Sequence, residues 1–261
     1  MNQSPPEKEA LAEGTLISHL LELRTRLLRA TVAICIVFLP LAFFSNELFT
    51  LVAQPLIEKL PEGTSLIATS VVSPFMAPLK LSLIASVFVA MPYILYQVWG
   101  FVAPGLYRHE RRFALPLFMT SVVLFYVGVA FAYFIVFPLM FAFLTSTAPI
   151  GVRMMTDIAS YLDFVTLLFF AFGIAFEMPV AVVLLAATGM VKVESLKKQR
   201  GYVMLGIFIV AAFLTPPDAV SQTFMAVPMY ALFEIGIVLA QYLVRQRTAD
   251  KAQHEASRPV E

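Results

Sequence analysis

Phe113 to Val152 reads FALPLFMTSVVLFYVGVAFAYFIVFPLMFAFLTSTAPIGV, 40 residues without a charge. As one straight helix this stretch would reach about 60 Å, twice the ~30 Å hydrocarbon core of a bilayer. Two spans would leave no residues for a turn. One long span over about 115–141, followed by a loop across Pro149, Ile150 and Gly151, fits the length better. The whole chain agrees with a membrane setting: of its 261 residues 60% are apolar and 13% charged, and the mean hydropathy is +0.84. That is more apolar surface than one soluble core can bury. The expected fold class is all-α and polytopic, because a lipid-exposed backbone must satisfy its own hydrogen bonds.

Outward from this stretch, the remaining spans fall into place. Span one covers 30–46, uncharged from Ala30 to Asn46 and completed by flanking residues, and span two covers 81–101. Tyr96, Trp99 and Phe101 suit a membrane interface at the end of span two. Span four covers 164–188 and contains Glu177, with 13 uncharged residues before it and 14 after. The last apolar stretch, Gly201 to Val244, is interrupted by Thr215-Pro216-Pro217-Asp218, a strong helix stop. It divides into two shorter helices, 202–214 and 221–242, the first able to cross only a thinned bilayer or one where neighbours cover its ends. The expectation is a single transmembrane domain over 1–261, with mobile segments at 1–15 and 245–261. The loop over about 47–78, with Pro55, Pro61, Pro74 and Pro78, reads as a structured, irregular cap.

Charge placement tests the count of six. Lys8, Arg24, Arg26 and Arg29 precede span one; Arg108, Arg111 and Arg112 lie between spans two and three. Lys192, Lys197, Lys198 and Arg200 lie between four and five; Arg245, Arg247, Lys251 and Arg258 follow span six. That places 15 of 18 basic residues on one side, with Lys59, Lys80 and Arg153 on the other, so both termini are read as cytoplasmic. Any other count exports a basic cluster.

Several function classes are disfavoured. A net charge of +1 supplies no basic field for nucleic acid. Cys35 is the single cysteine, and His19, His109 and His254 are far apart in the chain, so no metal, cofactor or nucleophile-base pair is expected. The polar first residues precede no small-residue cleavage pattern, so no cleaved signal peptide is read. No internal repeat links spans one to three with four to six.

Three acids stand out. On the helix before span one, Leu16, Leu20, Leu23 and Leu27 form one face and His19, Glu22, Arg26 and Arg29 the opposite one. Glu22 therefore reads either as the i,i+4 partner of Arg26 in a solvated face, or as the receiver of a partner's cation. Glu110, flanked by Arg108, His109, Arg111 and Arg112, carries the same two readings. Two carboxylates on separate elements could each take a guanidinium bidentately, a geometry lysine cannot reproduce. Glu177 differs, because an ionisable group at helix centre costs about 2.5–3.5 kcal/mol and must face protein or water, or be neutral. Pro179 frees a carbonyl near Ala175, and Gln222, Thr223 and Glu234 are its candidate polar neighbours.

The ordered set His19-Leu20, Glu22-Leu23-Arg24, Arg26, Ser73-Pro74-Phe75, Tyr96-Gln97-Val98-Trp99 and Phe101-Val102-Ala103-Pro104 continues through Glu110-Arg111-Arg112, Phe131-Ala132-Tyr133-Phe134 and Phe137-Pro138. It closes with Phe176-Glu177-Met178-Pro179, Leu214-Thr215-Pro216-Pro217-Asp218 and Gln222. With these residues the sequence resembles the TatC family, the multispanning core of the twin-arginine protein translocase, from about Ser18 to Ala240. The resemblance implies a receptor rather than an enzyme, located in the bacterial inner membrane. It would bind the Arg-Arg pair of signal peptides on folded cargo and work with the single-span subunits TatA and TatB and further copies of itself, driven by the protonmotive force. It places signal-peptide recognition on Glu22, Glu110 and Phe101, assembly or signal-peptide contact on Pro55 and Arg24, and an intramembrane polar site for a partner helix on Glu177 and Gln222. The competing reading is a proton-coupled small-solute transporter using Glu177. An intramembrane enzyme is weaker, since no His or Lys lies inside a span.

Overall fold

The computed structural model describes residues 5–57, 67–102, 111–146, 155–215 and 218–256. All of its regular structure is helical: α1 Pro5–Phe43, α2 Ser45–Ile57, α3 Ser73–Val102, α4 Arg111–Phe131, a π-helical turn Ala132–Val136, α5 Phe137–Ser146, α6 Ile158–Ala175, α7 Met178–Ala187, α8 Val193–Lys198, α9 Arg200–Leu214 and α10 Ala219–Ala256. Five helical segments are long and apolar enough to cross a membrane: Ile17–Phe43, Ser73–Phe101, Leu115–Phe143, Ile158–Ala187 and Ala219–Arg245. α9 is shorter, and its 15 residues rise about 22 Å.

The contacts group the chain into two compact units. One comprises 1–58 and 74–106, the other 59–73 and 107–261. In the first unit, α1 has no glycine or proline between Thr15 and Leu39, so helix runs unbroken from the charged segment into the span. The helix that carries the first apolar stretch therefore starts well before residue 30, because charged residues do not end a helix. α2 occupies much of what was read as an irregular cap. α3 starts at Ser73, not 81: Pro74 sits in the first turn, where backbone N–H groups have no partner to lose. Fully buried Ser82 returns its hydroxyl to the Pro78 carbonyl, 3.1 Å away, which satisfies both polar groups within the helix.

In the second unit, α4 and α5 form one continuous rod through the π turn, so the 40-residue uncharged stretch makes one span. Pro138 cannot donate to a carbonyl four residues back, and the extra residue in this turn, with Phe137 N–H donating to Ala132, absorbs the mismatch. α4 packs on α6 at glycine distance. A Cβ at Gly128 would lie 2.6 Å from the Phe172 carbonyl oxygen, and one at Gly173 would lie 2.5 Å from the Phe125 ring. α7 packs on α10 and α8 through Val182, Val183, Ala186, Leu196, Phe233, Ile237 and Ala240.

The helix of span four, α6, begins at Ile158, because Asp157 caps it and Asp163 lies within the helix. The Asp157 carboxylate accepts from Ser160 N–H and hydroxyl at 3.1 Å and from Thr69 N–H and hydroxyl at 3.1 and 2.9 Å. A backbone bridge joins Ile67 to the same residue. These donors hold the Asp157 carboxyl at about 2, well below the usual carboxylate range, the Ser160 N–H contributing most. Residues 5–15 continue α1 and 245–256 continue α10.

Candidate functional site

Of the singled-out acids that are described, Glu22 lies in the first unit and Glu177 in the second. In the first, the i,i+4 register brings Arg26 onto Glu22: Arg26 Nε donates at 2.9 Å and Nη2 at 2.6 Å, both to Glu22 Oε1. Arg26 is the more covered partner, 21% exposed against 39% for Glu22. Its guanidinium lies against Gly100 of α3, where any Cβ would collide with Nη1. One residue on, Phe101 stacks on His19 of α1 with ring centroids 4.2 Å apart and planes at 22°. A cavity of about 330 Å3 is lined by Leu21, Glu22, Thr25, Arg26 and Arg29. Of the predicted recognition residues, the structure therefore gathers Glu22 and Phe101 on adjoining turns of α1 and α3. Arg24 is exposed on α1. Glu110 lies outside the described residues, and of Pro55 only its place in α2 is described.

In the second unit, Glu177 sits at a break in span four. α6 ends at Ala175 and α7 starts at Met178, with Glu177 N–H donating to Ile174 three residues back at 3.0 Å. Pro179 lies in the first turn of α7, where its missing N–H costs no bond, and it cannot donate to the Ala175 carbonyl. The polar partner of the carboxyl is the hydroxyl of Ser121 on α4, a fully buried residue. Glu177 Oε1 is buried with no hydrogen-bond partner among the described residues. The neighbours expected from sequence are engaged otherwise. Gln222 Nε2 donates to the Phe208 carbonyl of α9 at 2.9 Å, and Thr223 donates to Ala219. Glu234 accepts from Arg200 at 2.6 Å and from Tyr230 at 2.8 Å.

Sequence reading missed Ser121, Gly100 and the pairing of His19 with Phe101. His19 had one legible sign, its place on the Glu22–Arg26 face; the other two depend on contacts between helices distant in sequence.

The profile of the family described as Sec-independent protein translocase protein (TatC) matches residues 18–228. The chain belongs to the TatC family. The TatC of Azotobacter chroococcum mcd 1 is 55% identical, over 94% of this chain and 95% of its own length; that of Escherichia coli K12 is 55% identical, over 88% and 89%. Two crystal structures of the twin-arginine translocase receptor TatC, one in the detergent DDM, share the fold at 37% identity. Their TM-scores are 0.77 and 0.78, over 86% and 85% of this chain and 98% and 99% of theirs. The chain is thus a polytopic all-α membrane protein and a component of the Sec-independent protein translocase.

Proposed function

We propose that this chain is the signal-peptide receptor of its translocase. Glu22 and Glu110 receive the Arg-Arg pair of a twin-arginine signal peptide at the cytoplasmic face, and Phe101 flanks the site. The observation that carries this reading is the Glu22 carboxylate itself. It is held on α1 beside the Phe101–His19 stack and partly open to solvent, with its second oxygen unbonded among the described residues. A guanidinium delivered there makes a charge-assisted bond of about 1.5–3 kcal/mol.

The chain crosses the bacterial inner membrane six times with both termini inside. The partition of 15 of 18 basic residues supports this, with short α9 as the fifth crossing. Its partners are TatA, TatB and further copies of itself, and folded cargo moves at the expense of the protonmotive force. Pro55 and Arg24 serve assembly or signal-peptide contact. The buried, half-satisfied carboxyl of Glu177, with Gln222 on α10, offers a polar site to a partner helix or to the hydrophobic stretch of the signal peptide. No step in this role makes or breaks a covalent bond, so the chain acts as a carrier and not as an enzyme.

Photo-cross-linking tests the receptor role. A twin-arginine signal peptide and its Lys-Lys version are offered to membranes containing the wild type, Glu22→Gln, Glu110→Gln or the double variant with the partner subunits. Capture that requires Arg-Arg and falls in each variant at equal abundance supports the role. Equal capture of both peptides by all variants would remove it.

A further inference from the structure

The i,i+4 spacing of Glu22 and Arg26 predicts an ordinary solvated ion pair, with both charged heads in water and exchanging rotamers. The geometry departs from that in three ways. Long cationic side chains extend their heads toward solvent, yet Arg26 is the more covered partner. Its Nη1 fills the place of a side chain on α3, a place vacant only because residue 100 is glycine. Its other two nitrogens, Nε and Nη2, both donate to one carboxylate oxygen, and among the described residues nothing bonds the other.

We infer that Arg26 is a positioning and specificity residue for the cation Glu22 receives: seated in the Gly100 notch, it pins Glu22 by Oε1, presents Oε2 alone, and sets a fixed positive charge beside the incoming one. This rests on Glu22 being the receiving carboxylate. It also changes the geometry expected from sequence, since a ligand guanidinium meets one oxygen here and cannot bind Glu22 bidentately without displacing Arg26.

The consequence is selectivity. A bare carboxylate attracts any cation, whereas one already paired by a fixed guanidinium offers a weaker, directional site with a like charge beside it. A lysine ammonium is a compact, strongly hydrated charge and recovers little at a single oxygen. An arginine spreads its charge over a plane, sheds water more readily, and can lie flat on an aromatic face such as the Phe101–His19 pair of the same two helices. Arg26 thus raises the threshold for all cations, and arginine passes it.

Equilibrium binding of labelled Arg-Arg and Lys-Lys signal peptides to the full chain in lipid nanodiscs tests this, with Arg26→Gln, Gly100→Ala and Glu22→Gln beside the wild type. Arg26→Gln should bind both peptides more tightly, with Lys-Lys gaining more, so that the preference for Arg-Arg falls roughly tenfold. Gly100→Ala, which expels the guanidinium while keeping its charge on the chain, should move the preference the same way. An unchanged preference in both variants, or parallel weakening of both peptides, would overturn the inference and leave Arg26 a structural residue. Should Glu22→Gln bind Arg-Arg peptide as well as wild type, the receiving-carboxylate reading fails as well. Should Glu22→Gln lose it while Arg26→Gln keeps the wild-type preference, only the role of Arg26 fails.

Discussion

Glu22 and Glu177 both carry a carboxyl group with one oxygen unbonded among the described residues, and they are built in opposite ways. Glu22 is partly exposed, and its partner is a full charge on its own helix, four residues along. Glu177 lies in a span, and its partner is a neutral hydroxyl on a neighbouring helix. The first arrangement suits exchange with a cation arriving through water, because part of the charge is already balanced and the side chain is partly open to solvent. The second suits a partner that arrives within the bilayer, because a buried, half-satisfied acceptor gains most from a donor that brings no water with it.

The contrast can be broken where it is built. The Ser121–Glu177 pair exists because α4 and α6 approach at glycine distance, so Gly173→Leu should have the largest effect. Its side chain would drive into the Phe125 ring and separate the helices, at a cost of about 3 kcal/mol. A thermal melt in detergent should show it, and an unshifted melt would mean the close packing is dispensable. Ser121→Ala removes the hydroxyl alone and should cost about 1–2 kcal/mol by leaving a buried carboxyl oxygen without its donor. In a Glu177→Leu background the same substitution should cost almost nothing; an equal cost in both backgrounds would separate Ser121 from Glu177.

Asp157 lies outside the spans, and its carboxyl is held down at about 2 from an ordinary 3.8. A carboxyl whose value is depressed by folding contributes stability that is complete above the unfolded value and lost as pH falls through the folded one. The α6 cap and its tie to Thr69 should therefore weaken between about pH 4 and pH 2. Circular dichroism of wild type against Asp157→Asn should show an acid transition in this window that the variant lacks. The smallest stability effect belongs to Glu22→Gln. A partly exposed i,i+4 pair contributes about 0.3–0.5 kcal/mol, so the melt should hardly move even though cation recognition is lost. A large drop in melting temperature would recast Glu22 as structural.

The long third span was legible because no reading of 40 uncharged residues gives two spans and a turn; the break at Glu177 was not, since a proline such as Pro179 marks a freed carbonyl while Pro78 and Pro92 sit inside an unbroken α3. Helix starts were not legible. Charges and prolines mark where apolar runs end, whereas Asp157 and the first turn of α3 show that caps and unpaired N–H groups set where helices begin. Resemblance to the family, rather than spacing, singled out Phe101, Pro55 and Arg24. Spacing did place Arg26 on Glu22. It could not say which oxygen is used, since that depends on Gly100 of a different helix. Ser121 lies 56 positions before Glu177, and only the approach of α4 to α6 brings the two together.

The most direct test of the division between the two acids is the ratio of Arg-Arg to Lys-Lys peptide affinity, measured by titration in nanodiscs for wild type, Glu22→Gln and Glu177→Gln. The account predicts that Glu22→Gln brings the ratio close to one, while Glu177→Gln keeps the wild-type preference for arginine. A preference that survives Glu22→Gln, or one that vanishes with Glu177→Gln, would contradict it.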